Sequence, residues 1–288
     1  YVTKGHKLVG MITVKTLLLC EDDNTLISEI MQEHVITVNT LDDQEKVAQM
    51  FSKYDFLALP VVDTENRLVG IVTVDDAWDV MEDEATEDME IMAAMLPSEH
   101  PYIKSSPIEI WKNRIPWLLL LMVSATLTGI VINNFESALG VLPCLTAFIP
   151  MLMDTGGNSG SQASVTIIRA ISLNEIDFSD LLKVIWKEIR VAVLCGICLA
   201  VACFGKIMLI DKLLLKNESI TTTVALVVCA SLALTVCVAK LVGCVLPMLA
   251  KKLGFDPAVM ASPLITTIVD FLSLLIYFSF ATSILHIG

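Results

Sequence analysis

The run MLMDTGGNSGSQAS at 151–164 sets Asp154, Asn158, Ser159, Ser161 and Gln162 around Gly156, Gly157 and Gly160, inside a stretch otherwise apolar enough to live in lipid. A second acid, Asp270, stands in PLITTIVDFLSLLIYF, and residues 257–286 contain no Lys or Arg to balance it. Polar and ionised groups in hydrocarbon are costly unless something polar meets them. For Asp270 that something is a cation or a proton. Carboxylate, amide and carbonyl oxygens suit hard cations such as Mg2+, Ca2+ and Mn2+, whereas softer metals favour thiolate or imidazole. Small residues also serve plain helix packing, and an Asp can be held protonated as a structural group. Packing alone does not call for Asn and Gln in the same run.

The elements that must position these groups are long and apolar. Stretches near 115–133, 139–171, 189–210, 221–249 and 257–286 are each long enough to cross about 30 Å of hydrocarbon as helices. Lys112 and Arg114 precede the first, Arg169, Lys183, Lys187 and Arg190 flank the second loop, and Lys251 and Lys252 flank the fourth. The positive-inside rule therefore expects a cytoplasmic N-terminus, with only Lys206, Lys212 and Lys216 of the third loop dissenting. A multi-pass protein of the plasma membrane, bedded in the lipid bilayer, is the expected setting.

Charge divides the chain in the same place. Residues 1–110 hold 22 Asp and Glu against 7 Lys and Arg, and residues 111–288 hold 10 against 12. So acidic a front half argues against nucleic acid as a partner and for cations. Seven of the eight Cys fall in the apolar half, where Cys serves as a small apolar residue. The four His, at 6, 34, 100 and 286, all avoid mid-span, which disfavours an imidazole-lined path. No cleavable signal peptide is expected at YVTKGHKLVG.

The front half contains a repeat. HKLVGMITVKTL at 6–17 returns as NRLVGIVTVDDA at 66–77, and because Val2 aligns with Val62 the first copy is expected to begin before Tyr1. Each copy reads as strand, polar turn, strand (Leu68, Gly70, Val72 and Val74 alternating) and helix. The complete copy resembles a CBS domain, especially in YDFLALPVVDTENRLVGIVTVDDAWDV. CBS modules pair within a chain and often bind nucleotides, so ATP is a possible partner there. In the helix that follows, Asp76, Asp79, Asp83, Glu87 and Glu90 fall on one arc. Like charges so spaced destabilise a helix; the arc is either a solvated face or a site completed by hydrated divalent cations.

PMLMDTGGNSGSQAS with IIRAI, the ending FDPAVMASPLITTIVDFLSLLIYF, and CBS repeats leading into EDEATEDME together resemble the MgtE family of magnesium channels and transporters over essentially the whole chain. The resemblance implies an α/β CBS regulatory module, its first repeat truncated, followed by an α-helical five-span transmembrane domain. The expected divisions are residues 1–20 as the remnant of a first CBS repeat, 21–83 as the second, 84–114 as a connecting (plug) helix and linker, and 115–288 as the pore domain. It implies a homodimer with the pore between subunits, lined by the second and fifth spans, and no enzymatic activity. Asp270 from both subunits would hold a transported Mg2+ through its water shell, with Gly157 and Asn158 lining the path. Regulatory Mg2+ would bind at Asp55, Asp76, Asp79, Glu84, Glu87 and Asp88, between the CBS and plug-helix acids, with Asp256 at the inner mouth. An Asn that can precede the proline of the fifth span is Ser262 here, and an acidic N-terminal helical region is expected upstream. Two other readings are a channel for Co2+ or Mn2+ and a CBS-regulated membrane redox protein using the cysteines.

Overall fold

The computed structural model describes all residues except Asp23, Glu99, Glu218, Ile287 and Gly288, and leaves the side chain of Ser262 undescribed. Two compact units, Tyr1–Glu87 and Asp88–Gly288, make up the chain.

In the first unit, β1 (Val2–Lys4) and β2 (Lys7–Gly10) form an antiparallel hairpin whose turn holds Gly5 and His6 at φ 57° and 70°. Thr13 caps α1 (Val14–Leu18), and α2 (Ile27–Ile30) is a single turn. The complete repeat follows as β3 (Val38–Asn39), α3 (Gln44–Tyr54), β4 (Ala58–Val62) and β5 (Leu68–Thr73), with α4 (Val74–Met92) leaving the last strand. β3 runs parallel to β4 and β5 antiparallel to it; a parallel pair needs a crossover, which α3 supplies. Asp43 starts that helix by accepting the Glu45 N–H at 2.9 Å. Ala48 and Phe51 then turn inward onto Val38, Leu59 and Ala77.

The β4–β5 turn is built by Asp63, which accepts the N–H groups of Glu65 and Arg67 at 2.9 Å each and pairs with the Arg67 guanidinium at 2.7 Å. Those Arg67 contacts hold the Asp63 carboxyl below the ordinary carboxylate value. Asn66 takes φ 62° there, as His6 does in the first copy. The repeat becomes a symmetry: Leu68 N–H donates to His6 O at 2.9 Å and Leu8 N–H to Asn66 O at 3.0 Å. Each bond is the other's counterpart when the two copies exchange places. Val74, expected in the strand, instead begins α4, because the Thr73 N–H and hydroxyl both donate to Asp76, at 3.1 and 2.6 Å, and close the first turn.

The second unit is helical. α5 (Pro107–Ser124) opens with a capping box between Ser106 and Glu109, and α6 (Thr126–Asn134) continues it after a break at Ala125. α7 (Glu136–Val141) and a 3-10 turn at Pro143–Phe148 lead to α8 (Ile149–Ser172). α9 (Leu181–Lys206) passes into a π-helical stretch at Ile207–Leu214; α10 (Thr222–Lys252) and α11 (Ser262–Leu285) follow, separated by a 3-10 turn at Pro257–Met260. Four helical stretches are long and apolar enough to cross a membrane among the described residues: Pro107–Asn134, Phe178–Leu214, Thr222–Lys252 and Pro257–Leu285. α8, at 24 residues, has comparable length but carries the polar run. It begins later than the expected 139, because Pro143 has no N–H to continue α7. The third expected span begins earlier, with Lys183, Lys187 and Arg190 inside α9.

α8 packs against α10 and α11 so closely that three glycines are required. A Cβ on Gly156 would stand 2.7 Å from Thr235 Cγ2; one on Gly160 would stand 2.8 Å from Ile265 Cγ2 and 3.1 Å from the Ala239 carbonyl. One on Gly243 would strike the Gly160 carbonyl. Above α8, the buried Tyr277 hydroxyl donates to Leu145 O at 3.0 Å and fixes the 3-10 turn. Overpacking such a contact costs about 1–3 kcal/mol. Gly243→Val is therefore expected to lower the melting temperature of the detergent-solubilised protein by several degrees, whereas Gly140→Ala, where nothing lies within 4 Å, leaves it unlowered.

Candidate functional site

Asp154, Asn158 and Gln162 are spaced four apart on α8 and share one face. All three are exposed, while Gly156, Ser159, Gly160, Ala163 and Ser164 point inward. The polar run is thus split by helical geometry. Its small residues admit neighbouring helices, and its longer polar side chains form the opposite face. Ser159, whose hydroxyl belongs to the same polar run, lies on the packed side at 6% exposure, and the Ser164 hydroxyl donates to Met260 O at 2.8 Å.

The exposed face of α8 borders a groove of about 460 Å³ shared with α11. Asp154, Gly157 and Asn158 line it from α8, and Thr266 and Asp270 from α11, between apolar walls at Ile149, Pro150 and Met153. Gly157 is what lets α11 approach here, since a Cβ would lie 3.0 Å from Thr266 Cγ2. The Thr266 hydroxyl donates to Pro263 O at 2.9 Å, which leaves its oxygen lone pairs as acceptors. The Asp154 and Asp270 carboxylates are near enough to repel one another. Neither has a hydrogen bond or ion pair among the described residues. The groove therefore presents two unneutralised carboxylates and an amide between apolar walls. Thr266 was not expected there; nothing in PLITT distinguishes it from Thr267.

The remaining expected residues are dispersed. Asp76, Asp79, Glu84, Glu87 and Asp88 all ride on α4. The Thr73 hydroxyl and N–H hold the Asp76 carboxyl below its ordinary value, so it is ionised at neutral pH. Asp79 and Glu87 are exposed, Glu84 accepts from Gln44 Nε2 at 2.9 Å, and Asp88 accepts from the Ser172 hydroxyl at 3.5 Å. Asp55 ends α3 in the left-handed region at φ 54°. Asp256 caps the 3-10 turn, accepting the Ala258 N–H at 2.8 Å. Within the second unit, Ile91 and Met92 at the end of α4 pack on Ile168, Ala258 and Ala261, beside that cap. Among the described residues no three His, Cys, Asp or Glu converge as a metal-holding group. The Ser262 side chain lies outside what is described.

Compared with known proteins, residues 149–280 match the family model MgtE, described as a divalent cation transporter, and residues 27–77 match the CBS domain. The magnesium transporter MgtE of Thermus thermophilus is 40% identical over 285 residues, covering 99% of this chain and 61% of its own length. That of Bacillus subtilis is 35% identical over 285 residues, with the same two coverages of 99% and 61%. A solved cytosolic domain of the Mg2+ channel MgtE in complex with ATP is 48% identical over 27% of this chain and 32% of that one, with a TM-score of 0.26. The chain spans about three-fifths, 61%, of the length of the curated relatives it matches. Carrying a CBS domain and the MgtE domain in this order, and aligned with these transporters along nearly its whole length, the chain belongs to the MgtE family.

Proposed function

We propose that this chain carries Mg2+ across the plasma membrane as a homodimer, and that the α8–α11 groove is one half of the path. The observation that supports this most directly is the pair of unneutralised carboxylates, Asp154 and Asp270, beside Asn158 and Gly157 in an otherwise apolar setting. A polar face on a lipid-crossing helix needs a polar counterpart, and a second copy, placing its own groove opposite, supplies one together with the water between them. Mg2+ dehydrates reluctantly and prefers octahedral oxygen geometry. Two carboxylates and an amide are too few to replace its water shell, but they suit a hydrated ion, which the carboxylates hold through water. Asp270, the deeper of the two, is the principal charge.

The same reading gives the front half a regulatory part. Residues 21–83 form the CBS module and 84–114 the connecting plug, with the N-terminus in the cytoplasm. The acids of α4, with Asp55 and Asp256, collect cytosolic Mg2+; bound ions relieve the mutual repulsion of the carboxylates, and the concentration of the ion itself biases a two-state gate. A cleft of about 340 Å³ bordered by Val38, Thr40, Asp42, Val61 and Asp76 is the place for a nucleotide such as ATP in the CBS module.

Asp270→Ala should insert normally and show no Mg2+ uptake above background in reconstituted vesicles; ordinary uptake by that variant removes Asp270 from the path. Asn158→Ala and Gly157→Leu should both slow uptake but differ in kind. The first deletes an oxygen and leaves the melting temperature unchanged, while the second also lowers it, because the added side chain meets Thr266. Wild-type rates and ion preference in both would mark the motif as packing only. Replacing Asp76 and Asp79 by Asn and Glu87 by Gln together should leave uptake active at internal Mg2+ levels that shut the parent; unchanged inhibition would reduce the α4 acids to a solvated face. Competition by Co2+ or Mn2+ in the same vesicles separates a Mg2+ path from one built for another divalent ion.

A further inference from the structure

Lys240 is the one charged residue in the buried set among the described residues, at 5% exposure. It lies 12 residues before Lys252, the end of α10, or about 18 Å along the helix at ~1.5 Å per residue, well inside α10 rather than at its end. No carboxylate stands within ion-pair distance of it among the described residues. The proposed cation path makes no use of this ammonium group. A charged side chain so enclosed calls for a partner.

The register of α9 on α10 identifies one. Cys203 and Cys229 share one buried cluster, a Cβ on Gly196 would lie 3.2 Å from Ala233 O, and Val184 and Cys244 share another cluster. Positions fall along α9 as they rise along α10, so the helices are antiparallel, and interpolation sets Glu188 opposite Lys240. Both face the interface. Glu188 is four residues from Val184 and from Ala192 in the buried stripe of α9, and Lys240 is seven from Ala233 and four from Cys244 on α10. The Glu188 carboxylate is within electrostatic range of the Cys244 thiol, one turn from Lys240.

We propose that Glu188 and Lys240 are charge partners at the α9–α10 interface, meeting through rotation of their long side chains to clamp α9 against α10. The clamp bears on the rest of the unit because Ala239 and Gly243, on either side of Lys240, are the residues on which Gly160 of α8 rests. It stands whichever ion is carried. Removing one member of a buried pair strands the other, whereas replacing both by uncharged residues is close to neutral.

The test is the apparent melting temperature of the full chain in detergent. Lys240→Met and Glu188→Gln should each lower it by about 5–10 °C. The double variant Lys240→Met/Glu188→Gln should recover most of that loss, as should the swap Lys240→Glu/Glu188→Lys. If a single variant does not fold, recovery of monodisperse protein in the double variant supports the pairing equally, and failure to recover it counts against the pairing. Additive losses in the double variant, or a loss for Lys240→Met with none for Glu188→Gln as expected of an ammonium group reaching lipid phosphate, would overturn the pairing.

Discussion

Every polar group on a helix that crosses lipid must be met by something polar, and α8 is where this chain satisfies that constraint in two ways at once. The helix must approach α10 and α11 closely enough to be held, which sets glycine at 156 and 160 against Thr235, Ile265 and the Ala239 carbonyl. It must also expose Asp154 and Asn158, which sets them on the face that those neighbours leave open. Gly157 stands at the seam, buried against Thr266 yet lining the groove. Much of the second unit follows from this: α10 is the back wall, α11 brings Asp270, and Tyr277 fastens the turn from which α8 starts.

The first unit handles its acids differently. Several of its carboxylates are engaged by local backbone: Asp43 opens a helix, Asp63 builds a hairpin turn, and Asp76 closes the first turn of α4. These uses cost nothing in surface charge, since a carboxylate that accepts an N–H remains an anion. On the proposed reading one residue serves both purposes, with Asp76 shaping α4 while contributing to the field that attracts cytosolic cations.

Much of this was legible in the sequence because periodicity and turn chemistry leave marks in composition. The repeat at 6–17 and 66–77 announced two like hairpins, and the apolar stretches announced the long helices. What composition could not show was which side of α8 each residue of GGNSGSQ would face, since that depends on the approach of helices distant in sequence. Ser159 accordingly turned out to be packed rather than lining, and Thr266, one of two adjacent threonines, reached the groove. The start of α8 differs from the expected one because apolarity runs straight through a backbone break at Pro143. Lys240 escaped notice although the apolar stretch 221–249 encloses it, because one lysine barely alters the apolarity of so long a stretch and only the packing of α10 shows the side chain to be enclosed.

The central claim is that the groove recognises Mg2+ with its water shell, through Asp270 and its neighbours. Hexaamminecobalt(III) keeps its six ligands and so presents a fixed outer shell of hydrogen-bond donors like that of hydrated Mg2+. Mg2+ flux into vesicles containing the reconstituted protein, measured against increasing concentrations of this complex, should be blocked, and the block should weaken when Asp154, the second carboxylate of the groove, is replaced by Asn. Mg2+ flux that the complex leaves untouched, or a block that ignores Asp154, would contradict the account.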